Sequence, residues 1–198
     1  KAGRLGKTEK LSVRYIWMAS KETDQYTTRP TSFIESDGTW LTAALGIAQK
    51  FGVVTDKVLP FKLGGQSQMY TGSANTFYAL AAQRRIASYF NLGRNLSAWR
   101  NWLATKGPIL TRLDVDDAFM QANATKGKLD TYTANSGLGG HCVALVGYVN
   151  GRFIVRNSWG TGWGDKGFAH AADSYAQPAF TKRLAWCCSH PGRRGWAR

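Results

Sequence analysis

Two neighbouring stretches decide the expected fold of this chain: GGHCVALVGY at residues 139–148 and NSWGTGWGDKG at residues 157–167. The first is largely apolar, and a second apolar run, RFIVR, begins directly after Asn150-Gly151. An Asn-Gly pair between two apolar runs is a strong signal for a tight β-hairpin turn. The sequence therefore predicts two antiparallel strands joined at this turn.

The hairpin is expected to hold a histidine beside a group that orients it. His141 stands near the start of the first strand and Asn157 follows the end of the second, so both lie at the same end of the hairpin. An asparagine oxygen that accepts the imidazole N–H fixes the tautomer and the plane of the ring. A histidine held in this way can take the proton of a thiol, and the thiolate is the form that attacks a carbonyl. The pair predicts the base and the orienting residue of a Cys/His/Asn centre.

The loop after Asn157 combines glycines with two tryptophans. Glycine permits positive φ and close backbone approach, which suits a compact irregular loop. Trp159 and Trp163 supply rigid apolar cover. An indole lying over the His–Asn hydrogen bond would exclude water and strengthen that bond.

The run Asn-Ser-Trp-Gly-x-x-Trp-Gly-x-x-Gly, with Gly-His and an apolar strand ending in Gly-Tyr upstream, resembles the papain-like (C1) cysteine peptidases. Weaker similarity extends over most of the chain, for example at LS of residues 11–12, DGT of residues 37–39 and GPIL of residues 107–110. Because the family's disulfide cysteines are missing, the chain resembles bacterial members more than plant or lysosomal enzymes. The resemblance implies an α+β fold, with a helical lobe facing an antiparallel β-barrel-like lobe and the active site in the cleft between them.

The resemblance also implies roles for individual residues. His141 would be the general base and acid, Asn157 would orient it, and Trp159 would shield their hydrogen bond and form part of the substrate-binding wall. Gly140 would flank the scissile bond. The other substrate-binding candidates stand before or at the start of a predicted helix, where an extended peptide could pair with the backbone: Asp37, Gly38, Thr39 and Trp40.

No cysteine precedes His141 in the chain. In papain-like enzymes the histidine follows the cysteine by roughly 130–150 residues, which places the nucleophile between about position 11 and about nine residues before Lys1. Three explanations stay open: a precursor has been cut into a short cysteine-bearing chain and this longer one, the intact protein has a stretch before Lys1, or the protein is an inactive relative. The expected partners are therefore a peptide or protein substrate and a short N-terminal chain or segment that carries the cysteine.

The three cysteines that are present are poor substitutes for this nucleophile. Cys142 follows His141 on a strand, so its side chain is expected on the opposite face, as a small buried apolar group. Cys187 and Cys188 are adjacent, and adjacent cysteines rarely bridge each other comfortably. With His190 they lack normal zinc spacing, and an odd cysteine count argues against a disulfide scaffold. No metal and no cofactor is predicted.

Composition narrows the class of protein further. Hydrophobic residues make up 43% and aromatic residues 13% of the 198 residues, as in a globular domain, and the longest apolar runs are far below membrane-spanning length. The formal charge of +14 favours an acidic partner or an acidic segment. A nucleic-acid partner is the less favoured alternative, because Arg84-Arg85 lack the aromatic interleaving of single-strand binding sites. No signal peptide is recognised at the start, and both the bacterial cytoplasm and export as an effector fit.

The chain is predicted to form one papain-like domain over residues 1–198. Its lobes are expected to be mainly helical over residues 1–106 and mainly β over residues 107–186, followed by a basic tail at residues 187–198. The expected elements are helices near 11–20, 39–51 and 96–106, a helix or linker over 75–85, strands over 86–92, 109–115, 167–171 and 181–186, and a polar excursion over 116–132.

The leading functional prediction is a thiol peptidase, which transfers an acyl group from a peptide to cysteine and then to water. One alternative is a non-catalytic papain-like protein that holds an extended peptide in the same cleft. Another is an acyl-transfer enzyme or deamidase on the same fold, since hydrolysis and transfer use the same thiol–imidazole pair. The residue at the nucleophile's position separates binding from catalysis.

Overall fold

The computed structural model describes residues 9–23, 38–61 and 73–188, without the side chains at positions 22–23 and 186–188. Asp37 and the tail from residue 189 onward therefore lie outside the described residues, as do the side chains of Cys187 and Cys188. Helices precede most of the strands, which confirms the α+β class. The elements are α1 Val13–Thr23, α2 Leu41–Lys50, α3 Ala74–Ala82, β1 Ile86–Asn91, α4 Leu96–Thr105, β2 Ile109–Asp114, α5 Asp117–Met120, β3 Lys128–Leu129, β4 Gly140–Val149, β5 Arg152–Arg156, β6 Phe168–Ala171, α6 Asp173–Ala179 and β7 Phe180–Cys188.

Packing divides the chain into two compact units. The first comprises residues 1–88 with 188–198, and the second comprises residues 89–187. The boundary predicted between the helical and β lobes, after residue 106, would leave α4 in the helical lobe. In the structure α4 belongs to the second unit, because its fully buried Trp99 packs into the same core as the strands.

The first unit is built on α1, α2 and α3, whose buried faces share one core. The helix predicted near residues 39–51 is α2, and it is followed by Gly52, which has a φ of +91° and donates its N–H to the carbonyl of Ile47 at 3.0 Å. A Cβ at Gly52 would lie 2.0 Å from the carbonyl oxygen of Ala81, so α3 can pack this closely only against glycine. The helix begins one residue later than a cap at Thr39 would require, since Trp40 occupies the N-cap position and makes no side-chain cap bond.

The second unit is organised by the sheet, whose strand order is β1-β7-β2-β4-β5-β6-β3. β2 pairs antiparallel with β4 and β7, and β5 pairs antiparallel with β4 and β6, whereas β3 and β6 are parallel. β1 and β3 are edge strands, so the β part is an open sheet and the barrel-like shape does not close. The predicted hairpin joins β4 to β5, and its turn residues Asn150 and Gly151 have φ of +48° and +75°, the backbone of a type I′ turn.

The segment expected to be a polar excursion at residues 116–132 is partly core. It contains the short helix α5, and its Phe119, Ala122 and Leu129 are fully buried. This was not predicted, because the apolar run at residues 118–120 is only three residues long and the later apolar residues follow neither helical nor strand periodicity. Helix α6, with Pro178 close to its end, was also not predicted.

Candidate active site

The hairpin of β4 and β5 brings His141 and Asn157 within hydrogen-bond distance in the second unit. His141 is paired with Leu113 across the β2–β4 ladder, and Asn157 directly follows β5. The His141 Nε2 atom lies 2.8 Å from Asn157 Oδ1. Asn157 is 8% exposed and its backbone N–H donates to the carbonyl of Gly167 at 3.0 Å, so the loop that follows holds it in place.

A second contact of Asn157 decides which imidazole nitrogen carries the proton. The backbone N–H of Ser158 donates to the same Oδ1 atom at 2.7 Å. Because a backbone N–H can only donate, it keeps the oxygen of the Asn157 amide, and not the nitrogen, on the side of the ring. Nε2 of His141 is therefore the donor in this pair, and in the neutral ring Nδ1 carries the lone pair.

Two aromatic rings pack against the imidazole of His141. The Trp159 ring lies 4.7 Å from the His141 ring between centroids, at an interplanar angle of 34°. Phe119 approaches the His141 ring at 5.9 Å and 61°, and it packs edge-on against Trp159 at 5.4 Å. Phe119 is fully buried whereas Trp159 is 43% exposed, so one ring closes the site from the core and the other forms its outer wall.

Hydrogen bonds hold the glycine-rich loop of residues 157–167 against α5 and the turn that follows α5. The indole N–H of Trp163 donates to the carbonyl of Phe119 at 3.0 Å. The side-chain amide of Asn123 donates to the carbonyl of Gly162 at 2.8 Å and accepts from the N–H of Gly164. These bonds hold the loop that carries Trp159 against the segment that carries Phe119.

Asp116 holds the segment that carries Phe119 in place, and this role was not predicted from the sequence. It is fully buried, and its carboxylate accepts from the N–H of Phe119 at 3.0 Å, from the N–H of Thr133 at 3.0 Å and from the hydroxyl of Tyr175 at 2.7 Å. Burial, followed by the hydrogen bond to Asp116, raises the pKa of Tyr175, so its hydroxyl stays a donor. The available sequence signal was Asp116 three residues before Phe119, the spacing of a helix N-cap.

Gly140 starts β4 opposite Asp114, and the Arg112 side chain covers it. A Cβ at Gly140 would lie 2.3 Å from Arg112 Nη2, in the space that the guanidinium occupies. Arg112 Nη1 is held 2.6 Å from the Asp114 carboxylate. The backbone before His141 therefore borders an ion pair on the face of the ladder opposite to the imidazole.

Cys142 is exposed, where the sequence analysis expected it to be buried. It pairs with Arg112 and so lies on the outer face of β4, which gives the physical reason for its exposure. Enough protein surrounds the sulfur that burial raises the pKa of the thiol to about 11. A thiol that stays protonated at neutral pH, on the face away from His141, is a poor nucleophile.

The other substrate-binding candidates belong to the first unit. Gly38 is exposed, and no atom beyond its chain neighbours lies within 4 Å of a Cβ built on it. The Thr39 hydroxyl is buried without a hydrogen-bond partner in the described structure, and Trp40 is 40% exposed. Among the described residues no cluster of three His, Cys, Asp or Glu side chains could hold a metal ion. The described helices are too short or too polar to cross a bilayer.

Comparison with known proteins places this geometry in a family. The family model described as papain family cysteine protease matches residues 11–183. Cysteine proteinase 2 of Entamoeba histolytica is 36% identical over 105 residues, which are 50% of this chain and 33% of that protein. The chain thus spans about a third of the length of this curated relative.

Solved structures agree on the fold. Xylellain, a cysteine protease from Xylella fastidiosa, superposes with a TM-score of 0.75 at 18% identity, covering 96% of this chain and 75% of xylellain. The bromelain protease from Ananas comosus gives a TM-score of 0.62 at 19% identity, covering 95% of this chain and 82% of the bromelain chain. At these identities the likeness shows a papain-like fold. With the family model matching most of its length, the chain belongs to the papain family of cysteine proteases.

Proposed function

We propose that this chain is the larger part of a cysteine-type peptidase whose nucleophilic cysteine lies on a segment or chain outside residues 1–198. The observation that carries the proposal is the His141 Nε2 to Asn157 Oδ1 bond of 2.8 Å, with the oxygen held in place by the N–H of Ser158. This arrangement leaves Nδ1 of the neutral imidazole as the proton acceptor. A peptide-binding protein without catalysis has no chemical need for a single tautomer.

In the proposed reaction, Nδ1 of His141 takes the thiol proton, and the thiolate attacks the carbonyl carbon of the scissile bond. The imidazolium then gives this proton to the leaving amine as the C–N bond breaks, which leaves a thioester. Water attacks the thioester, loses a proton to His141, and the thiol leaves with the proton returned. Asn157 orients the ring throughout, while Phe119 and Trp159 limit water access to the His–Asn hydrogen bond.

The substrate-binding assignments are part of this proposal. Gly140 would flank the scissile bond and Trp159 would form a wall beside it. Gly38 and Thr39 would offer their backbone to an extended peptide, as in strand addition, with Asp37 and Trp40 at the edge. The exposure of Gly38 and Trp40 supports these roles. Residues 1–198 would then form one domain with the missing segment, and the bacterial character would rest on the absence of the family's disulfide cysteines.

Mass spectrometry of the protein from its natural source, without reduction, and N-terminal sequencing test the proposal first. We expect a short companion chain or an N-terminal extension that carries a cysteine in a helical context. Thiol-reactive epoxide should label this cysteine, and the intact assembly should cleave peptides. His141→Gln should lower cleavage at least 100-fold, because general acid–base catalysis contributes about 10²–10⁴-fold. His170→Gln is the matched control, since this second histidine lies on β6.

Non-catalytic peptide binding is the second candidate, because the exposed Gly38 and Trp40 could hold an extended peptide without any catalysis. A single 21.8 kDa species that begins at Lys1, takes no epoxide and cleaves no peptide would contradict the peptidase proposal. Retention of an extended peptide by that species would then support binding alone. If the intact assembly is active, product analysis separates hydrolysis, which gives a free acid, from acyl transfer to an added amine.

A further inference from the structure

The second unit buries an arginine that has no counterion among the described residues. Arg183 on β7 is 4% exposed, and its guanidinium lies 5.0 Å above the centroid of the Trp99 ring. Its Nε atom is buried without a hydrogen-bond partner in the described part of the chain. Charged groups removed from water are normally paired, since an uncompensated charge in a protein interior is costly.

A second arginine lies beside it. The loop that carries Arg94 is fastened over β7, because the N–H of Leu92 donates to the carbonyl of Arg183 at 3.0 Å and the indole N–H of Trp99 donates to the carbonyl of Gly93 at 3.0 Å. Burial lowers the pKa of Arg183, and the nearby charge of Arg94 lowers it further. These contacts bring the loop of Arg94 over the strand and the indole against which Arg183 packs.

Three other arginines of the same unit are paired with carboxylates. Arg100 bonds to Asp173, Arg152 bonds to Asp130, and Arg112 lies 2.6 Å from Asp114. Neither Arg94 nor Arg183 has an ion pair or a side-chain hydrogen bond to any residue that the structure describes.

An open pocket of about 1020 Å³ borders Arg94. The acid in its lining, Asp114, is already neutralised by Arg112. Its lining also includes Asn135, Gly137 and Gly139, all of which have positive φ. A backbone that turns in this way can present N–H groups to an anion. The pocket thus places a cationic side chain beside a turning backbone.

We propose that this pocket binds a tetrahedral oxyanion, as inorganic phosphate or as the phosphate of a monoester, beside Arg94 and within the field of Arg183. A dianion matches the two positive charges, and guanidinium groups bind phosphate oxygens in a bidentate manner. Neither His141 nor Asn157 lines the pocket, and the proposal does not depend on peptidase activity.

Calorimetric titration of the purified 198-residue chain with inorganic phosphate, at constant ionic strength in chloride, tests the proposal. We expect saturable binding of one phosphate per chain and a rise in Tm that follows the same saturation. Arg94→Gln should weaken binding at least tenfold. Arg183→Met, which keeps an apolar chain over Trp99, should do the same and should raise the Tm in the absence of phosphate.

Arg156→Gln is the matched control, because Arg156 is also stacked on an aromatic ring, 5.7 Å from that of Phe168, but is exposed. It should leave phosphate binding unchanged. Titration with phosphoserine distinguishes the sources: equal affinity assigns the site to phosphomonoesters, and binding of inorganic phosphate alone assigns it to the free anion. Phosphate binding that does not saturate, or that Arg94→Gln and Arg156→Gln weaken equally, would overturn the proposal. It would show that phosphate only screens the +14 net charge of the chain. Arg94 is exposed, so its variant remains informative if Arg183→Met does not fold.

Discussion

Replacing Asn157 with alanine should weaken the preference of the neutral His141 ring for the Nε2–H tautomer. It should change the free energy of unfolding very little. In the wild-type chain Oδ1 of Asn157 accepts from His141 Nε2 at 2.8 Å and from the N–H of Ser158 at 2.7 Å. The substitution removes the acceptor that keeps the proton on Nε2. The neutral ring can then place its proton on either nitrogen.

The size of the effect follows from these contacts. One net hydrogen bond of about 1 kcal/mol corresponds to roughly a fivefold change in the tautomer ratio at 25 °C. The two lost bonds cost about 2 kcal/mol together, but the Nδ2 atom of Asn157 is buried without a partner within the described structure, and removing it returns about 1–3 kcal/mol. The free energy of unfolding should therefore change by no more than about 1 kcal/mol, although Asn157 is 8% exposed.

The assay is long-range ¹H–¹⁵N NMR of the imidazole in the purified chain, at a pH where the ring is neutral. The wild-type spectrum should show the Nε2–H form of His141 predominating, and Asn157→Ala should show a roughly fivefold smaller preference. Asn101→Ala is the control, because Asn101 is an exposed asparagine on α4. A wild-type ring protonated mainly on Nδ1, or a ratio unaffected by Asn157→Ala, would refute the assignment of Nδ1 as the proton acceptor.

Four other predictions concern the support around the site and the thiol of Cys142. Tyr175→Phe should lower the free energy of unfolding by about 1.5–3 kcal/mol in urea at pH 7, because a hydrogen bond to buried Asp116 is lost, and an unchanged value would argue against that bond. Burial and the bond to Asp116 raise the pKa of Tyr175, so above pH 10 the folded chain keeps a proton that the unfolded chain releases. The free energy of unfolding of the wild type should therefore fall by up to about 1.4 kcal/mol per pH unit above pH 10, whereas that of Tyr175→Phe should lack this decrease. Because the pKa of Cys142 is raised to about 11, a disulfide reagent should label it slowly at pH 8 and faster as pH rises towards 11; rapid labelling at pH 7 would contradict this. Asn123→Ala should speed amide hydrogen exchange at Gly164 and cost about 1–3 kcal/mol, whereas unchanged exchange would show that the loop does not depend on Asn123.

Local chemistry explains why the hairpin and several helix ends could be predicted. Gly151 and Gly52 adopt positive φ readily because glycine has no Cβ, and Asn150 does so because asparagine tolerates the left-handed region. Once the turn is predicted, His141 and Asn157 must lie at the same end of two paired strands. The juxtaposition at the candidate site thus follows from residues within 17 positions of one another.

The support for that site depends on contacts between distant parts of the chain. Asp116 and Tyr175 are 59 positions apart, and no periodicity in either segment indicates that they meet. Phe119 belongs to a short apolar run within a polar stretch, and nothing in that run indicates that α5 places its ring against His141. The exposure of Cys142 depends on which face of β4 other elements cover. The alternation of side chains along the strand does not by itself indicate that face.

By itself, then, the sequence determined the features that short-range backbone preference and side-chain type control: the α+β class, the hairpin and the pairing of His141 with Asn157. The open sheet and the burial of Asp116 and Arg183 depend on the tertiary structure. The physical reason is that burial and charge pairing are properties of the neighbours brought together by folding, and those neighbours come from remote positions in the chain.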